Sequence, residues 1–259
     1  MKPSIFLWLC VGAWALSQVP AFAAETVDVR LQRCLDDPDK ASTGDQDECI
    51  AQAEREWDGL LNEDYKRLGD RLSPDGRARL RDAQRAWLRS RDADRALIGA
   101  VYATTRGTMY APMNADAVME LTAQRARRLH SYLSVLDGVA MPLPAQPAFD
   151  DPAQNGVRLP QRGSHAAKHC PTATDACVDR LTPLYLQDLA EIETAMKRRL
   201  PRTARPLYDA SDRAWTVFRD RELALIDVLT PAPVPVLKLG LPVERLGLLD
   251  GTVGVIGVE

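Results

Sequence analysis

Two segments of the chain, Arg85–Ile98 (RAWLRSRDADRALI) and Arg213–Ile226 (RAWTVFRDRELALI), carry nearly the same text. A constant step of 128 residues superimposes them, and the register continues upstream without a gap until Cys49 meets Cys177. Over residues 49–98 and 177–226, 14 of 50 positions are identical, 8 of them in the last 14, and exchanges such as Asp94/Glu222 and Trp57/Tyr185 keep the chemistry. Any amphipathic helix repeats Leu and Ala. A shared helix recipe does not place Cys, Trp and Arg-Asp in one register. Past a deletion the match resumes at a step of 120, where LTAQRARRL (Leu121–Leu129) meets LPVERLGLL (Leu241–Leu249). The chain therefore reads as one small unit written twice.

Aromatic residues make up only 6% of the chain, while Ala, Leu, Arg and Asp dominate, which favours helices. In the first copy, Ile50, Ala53, Trp57, Leu61, Tyr65 and Leu68 form one apolar stripe that ends before the turn Ser73-Pro74-Asp75-Gly76. A second helix carries Leu80, Trp87, Ile98 and Val101, and Gly107 to Pro112 breaks it. A third is predicted from the N-cap Asn114 to Gly138. The second copy is less regular: Pro201 and Pro206 crowd its middle helix, its third helix is expected to be short or frayed, and Gly251–Glu259 is expected to pack as an extended segment. The fold class read from this is all-α: two small disulfide-bridged units of about three helices each, joined by a Pro-rich linker. The expected boundaries are 25–137 for the first unit, 138–168 for the linker and 169–259 for the second unit.

Residues 1–24 read as a signal peptide, with Lys2, the apolar run Ile5–Leu16, Pro20 and the small-residue site Ala21-Phe22-Ala23. Export to the periplasm or medium is expected. Neither Cys10 nor Cys34 has the small residues before it that a lipoprotein needs, and no later segment is long and apolar enough to insert in a membrane. Four cysteines then remain in a compartment where disulfides persist: Cys34, Cys49, Cys170 and Cys177. Three pairings are open. Segregation into two distant clusters fits Cys34–Cys49 with Cys170–Cys177, each bridge contributing roughly 2.5–3 kcal/mol on the chain-entropy account. His165, His169 and Cys170 form an H-x3-H-C run, but no convincing fourth ligand for zinc stands nearby.

The order of motifs carries a resemblance. A Cys pair is followed by W-D-x-L-L-N-x-x-Y (Trp57, Asn62, Tyr65), by A-Q-R-A-W-L-x-x-R-D (Gln84, Trp87, Arg91, Asp92), and by L-T-x-Q-R-x-x-x-L (Thr122, Arg125). This resembles the LprI-like lysozyme-inhibitor family of exported bacterial proteins over about Cys34–Leu136. The second copy matches through Trp215, Arg219, Asp220 and Arg245 but has lost the N-x-x-Y element, with Ala190 and Glu193 in its place. Family members often carry a further bridge from three residues after the Arg-Asp pair. Arg95 and Leu223 occupy that place here.

Gln84, Trp87, Arg91, Asp94 and Ile98 fall on one side of the middle helix. They read as packing, with Arg91 over Trp87 or paired with a carboxylate of a neighbouring helix; the sharper alternative is a partner-binding Trp/Arg patch. Asp36, Asp37, Asp39, Asp45, Asp47 and Glu48, between the first two cysteines, read as a solvated face that could also attract a basic partner. The formal charge is −3 with both signs interspersed, which leaves no footprint for nucleic acid. The sequence lacks G-x-S-x-G, a phosphate-binding glycine loop and H-E-x-x-H. No catalytic, cofactor or metal residues are assigned. The resemblance implies a binding protein that blocks the lysozyme cleft. The alternatives are an envelope interaction protein without inhibitory activity and, more weakly, a peptidoglycan-processing enzyme. The oligomeric state is open.

Overall fold

Short polar caps set where the long helices begin. Ser42 and Asp45 form a reciprocal capping box at the start of α2 (Thr43–Arg71). Ser73 caps α3 (Pro74–Tyr102), with Pro74 in the first turn, where its missing N–H costs nothing. The computed structural model describes residues 26–139, 174–230 and 234–256. These also contain α1 (Val27–Leu35), α4 (Tyr110–Leu136), α5 (Asp175–Arg199), α6 (Arg205–Ile226) and α7 (Pro235–Val255). Apart from a single 3-10 turn at Pro38–Lys40, all regular structure among the described residues is α-helix. The signal segment, the prolines of the linker, and His165, His169 and Cys170 lie outside the described residues.

Two boundaries differ from the sequence reading. Helix α4 starts at Tyr110, four residues before Asn114, and Met109 at its N-cap makes no side-chain capping bond. Gly107, at φ 106°, reverses the chain so early that Pro112 falls in the first turn, where proline is tolerated. Helix α7 is neither short nor frayed: it runs 21 residues through Gly251 to Val255, across Pro242. Its buried Leu237, Leu239, Leu241, Leu246, Leu249 and Val253 account for this, because burial of an apolar face outweighs weak local propensity.

Helix α2 packs on α4, α5 on α7, and α3 on α6. The pair α2/α4 runs parallel, since Trp57 lies under Arg127, Asp64 meets His130, and Arg71 meets Asp137 in that order along both helices. The pair α3/α6 runs antiparallel, with Asp94 against Ser211 and Arg79 against the carbonyl of Ala224. The middle helix of each half thus leans on the middle helix of the other. Leu80, Ala83, Leu97 and Val101 of α3 and Tyr208, Phe218, Leu225 and Ile226 of α6 belong to one continuous core with the remaining helices. Cys34 is bonded to Cys49, which ties α1 to α2 with Cα atoms 5.8 Å apart. Cys177 is also disulfide-bonded, and its expected partner Cys170 lies outside the described residues.

Candidate functional site

The motif residues converge where α3, α4, α6 and α7 meet. From α4, Arg125 reaches into the core with its side chain fully buried. Its Nη1 donates to Oε1 of Glu222 on α6 at 2.6 Å, and its Nε donates to Gln84 on α3 at 3.0 Å. The Tyr132 hydroxyl donates to the same Glu222 oxygen at 2.5 Å. The guanidinium lies 5.9 Å from the centre of the Trp87 ring and 5.6 Å from that of Phe218. From α7, Arg245 does the reciprocal thing. Its Nη1 donates to Asp94 on α3 at 2.8 Å, its Nη2 donates to Ser211 at 2.9 Å, and its guanidinium lies 5.5 Å from Trp215. The step of 128 carries Asp94 onto Glu222 and the step of 120 carries Arg125 onto Arg245, so each acid bonds to the arginine of the other half.

A single charge placed in such a core costs several kcal/mol, and an ion pair there gains back about what its desolvation costs. These two pairs therefore act mainly as registers that fix how the halves interlock. A third link joins Arg128 of α4 to Glu244 of α7. Burial opposes the charge on Arg128, yet Glu244, Tyr132 and Glu222 together lift its pKa above the ordinary value. Burial, followed by the neighbouring Glu222, pushes the Tyr132 phenol well up, so it stays a hydrogen-bond donor. Nη2 of Arg125, Nε of Arg245 and Oε2 of Glu222 have no hydrogen-bond partner among the described residues. Both arginines line a cavity of about 40 Å³, which has room for water.

The structure brings together Gln84, Trp87, Arg91, Arg125, Trp215 and Arg245. Arg91 and Arg219 lie 5.1 and 5.3 Å from the centres of Trp87 and Trp215, and each pairs with the next residue, Asp92 or Asp220, at the surface rather than with a neighbouring helix. Thr122 is buried on α4. Trp57 is buried away from this centre, beneath Arg127, whose guanidinium is 4.5 Å from the ring centre. Tyr65 packs half-buried against the core, and Asn62 is exposed, bonded to Asp58 of its own helix. Asp94, expected on the packing face of the middle helix, completes the centre together with Ser211, Glu222 and Tyr132, which the sequence reading does not mark as site residues. The signal for the two acids was their shared register.

The acidic stretch between Cys34 and Cys49 is partly committed to local structure. Asp37 caps the 3-10 turn, Asp45 closes the α2 capping box, and Asp36 accepts from Gln32. Asp36, Asp39 and Glu48 remain exposed.

The sequence profile of the lysozyme inhibitor LprI family matches residues 34–129. No curated protein matches the chain. Among solved structures, the fold is similar to an uncharacterized protein from Burkholderia thailandensis. Identity is 25% and the TM-score 0.60, and the alignment covers 88% of this chain and 97% of that one.

Proposed function

We propose that the chain is an exported binding protein that inhibits lysozyme by occupying its cleft. The observation that carries this reading is the match of residues 34–129 to a family of lysozyme inhibitors. The buried Arg125–Glu222 and Arg245–Asp94 pairs fit a scaffold whose centre is committed to packing. That assigns recognition to the outer surface, where Asp36, Asp39 and Glu48 offer negative charge to a basic enzyme. We further propose that residues 25–137 and 169–259 are duplicated copies of one unit. The shared register supports this.

A lysis assay tests the reading. The purified chain from residue 25 is added to chicken-type lysozyme and a peptidoglycan suspension, and clearing is expected to slow in proportion to inhibitor. Full clearing at micromolar excess removes the reading for that lysozyme class and leaves an envelope interaction protein. Clearing by the chain alone identifies a peptidoglycan-processing enzyme instead.

A further inference from the structure

On either side of the contact between α4 and α7, the two halves treat the same positions differently. On one side Arg128 lies against Gly240, where a Cβ would stand 3.7 Å from Nη1, and pairs with Glu244. Tyr132 fills the space beside it and is fully buried. On the other side, the step of 120 puts Leu248 in place of Arg128 and Thr252 in place of Tyr132, while Glu120 stands where Gly240 would be. One side has a guanidinium, an aromatic ring and a glycine that makes room for them. The other has the uncharged Leu248 and Thr252 and an added carboxylate, Glu120. The result is an open groove of about 510 Å³ between the N-terminal half of α4 and the C-terminal half of α7.

The lining of this groove has a definite chemistry. Tyr102 and Tyr110 offer aromatic faces, Met113 is an exposed and adaptable wall, and Gly251 leaves the α7 side open, with nothing within 4 Å of a Cβ built there. Asp116, Glu120 and Asp250 supply the charge. Glu120 shares Arg127 with Asp28, whereas Asp116 has no hydrogen-bond or ion-pair partner among the described residues. Burial pushes the carboxyls of Asp116 and Glu120 above the usual carboxylate range, Arg127 opposing the rise at Glu120.

We propose that this groove is the docking site for an arginine side chain presented by a basic protein partner. The guanidinium would stack on the tyrosines and meet Asp116. The groove's chemistry stands on these residues alone. Only the identity of the partner, a lysozyme, rests on the function proposed above.

Two arms test the proposal separately, both on the chain from residue 25. In the first, the methionine methyl signals are followed by NMR while an Arg-Gly-Arg peptide is titrated, with a citrulline-Gly-citrulline peptide as its uncharged counterpart. Saturable shifts are expected at Met109 and Met113, with buried Met119 and Met196 unmoved, and about ten-fold weaker binding of the citrulline peptide. Asp116→Asn should weaken the arginine peptide by about five-fold or more, and Gly251→Leu, whose Cβ has nothing within 4 Å, should abolish the shifts without lowering the melting temperature. Equal binding of the two peptides, or no shift at Met109 and Met113, overturns the proposal. In the second arm the same variants enter the lysozyme assay. Inhibition that survives both substitutions overturns the groove as the docking surface while leaving the inhibitor reading intact. Peptide binding without inhibition by the unaltered chain leaves the groove standing and removes lysozyme as its partner.

Discussion

Asp94 and Glu222 anchor two buried ion pairs between the halves, and among 36 acidic side chains only their shared register and the place of Asp94 on the packing face of the middle helix mark them. A mid-helix acid in a charged helix ordinarily reads as solvated. What set these two apart was that each stood at the same step from the other, one residue type conserved in chemistry, within a register that also aligned Trp87 with Trp215. Trp and Arg were legible as a packing centre because bulky rings and long cations at helical spacing have few other uses in a small all-α chain. Their acidic partners were not, since a linear sequence does not say which helix supplies the counter-charge. The energetics give a sharp expectation. Glu222→Ala leaves Arg125 buried without its carboxylate and should cost about 3–5 kcal/mol in urea unfolding. Replacing both partners, Arg125→Met with Glu222→Leu, should recover most of that loss, because the desolvation of two charges disappears with the pair. Asp94→Ala should behave like Glu222→Ala, with Arg245 as the stranded cation. A double substitution no more stable than the single one would show that the pair contributes net stability rather than register.

At the scale of helices, the three long helices of each half were readable from apolar periodicity, whereas α1, a fourth helix in the first half, was not, and of the expected turn Ser73-Pro74-Asp75-Gly76 all but Ser73 belongs to α3. The pairing of helices was not readable either. An apolar stripe fits a neighbour in its own half as well as one in the other, and only the structure shows α3 lying on α6. The expected frayed end of the second half failed for a related reason. Gly251 and Pro242 lower helix propensity locally, but packing against α5 overrides it. The exchange of middle helices predicts that residues 25–137 made alone form no cooperatively melting monomer, since Leu80, Ala83, Leu97 and Val101 would lose the α6 surface. Mixing in residues 169–259 should restore helical signal and a single melting transition. Independent folding of the first half as a monomer would contradict this. The bridge between Cys34 and Cys49 acts on a different element: it anchors α1, which packs on α2. Cys34→Ser with Cys49→Ser should cost roughly 3 kcal/mol, given a separation of 15 residues.

Over the whole molecule, the buried carboxyls that are shifted upwards run against the common trend in acid titration. Asp116, Glu120, Glu193 and Glu244 all have pKa values raised by burial, whereas that of Glu56 is lowered by its bonds to Gln52 and Arg30. A carboxyl whose folded pKa exceeds its unfolded value binds more protons when folded. Stability therefore falls as pH rises through the interval between the two values, and rises as pH falls through it. The contribution of these four carboxyls to the melting temperature should therefore be larger at about pH 5 than at about pH 7.5, the opposite of depressed carboxylates. Asp116→Asn isolates one contribution. It removes a carboxylate held at a disadvantage by burial, so it should raise the melting temperature at neutral pH and lose that advantage once Asp116 itself is protonated in the unaltered chain. The same substitution should weaken arginine binding. A residue that costs stability when the groove is empty and supports binding when a cation enters is what a recognition site requires, whereas a carboxylate with only a solubilising role would shift neither measurement.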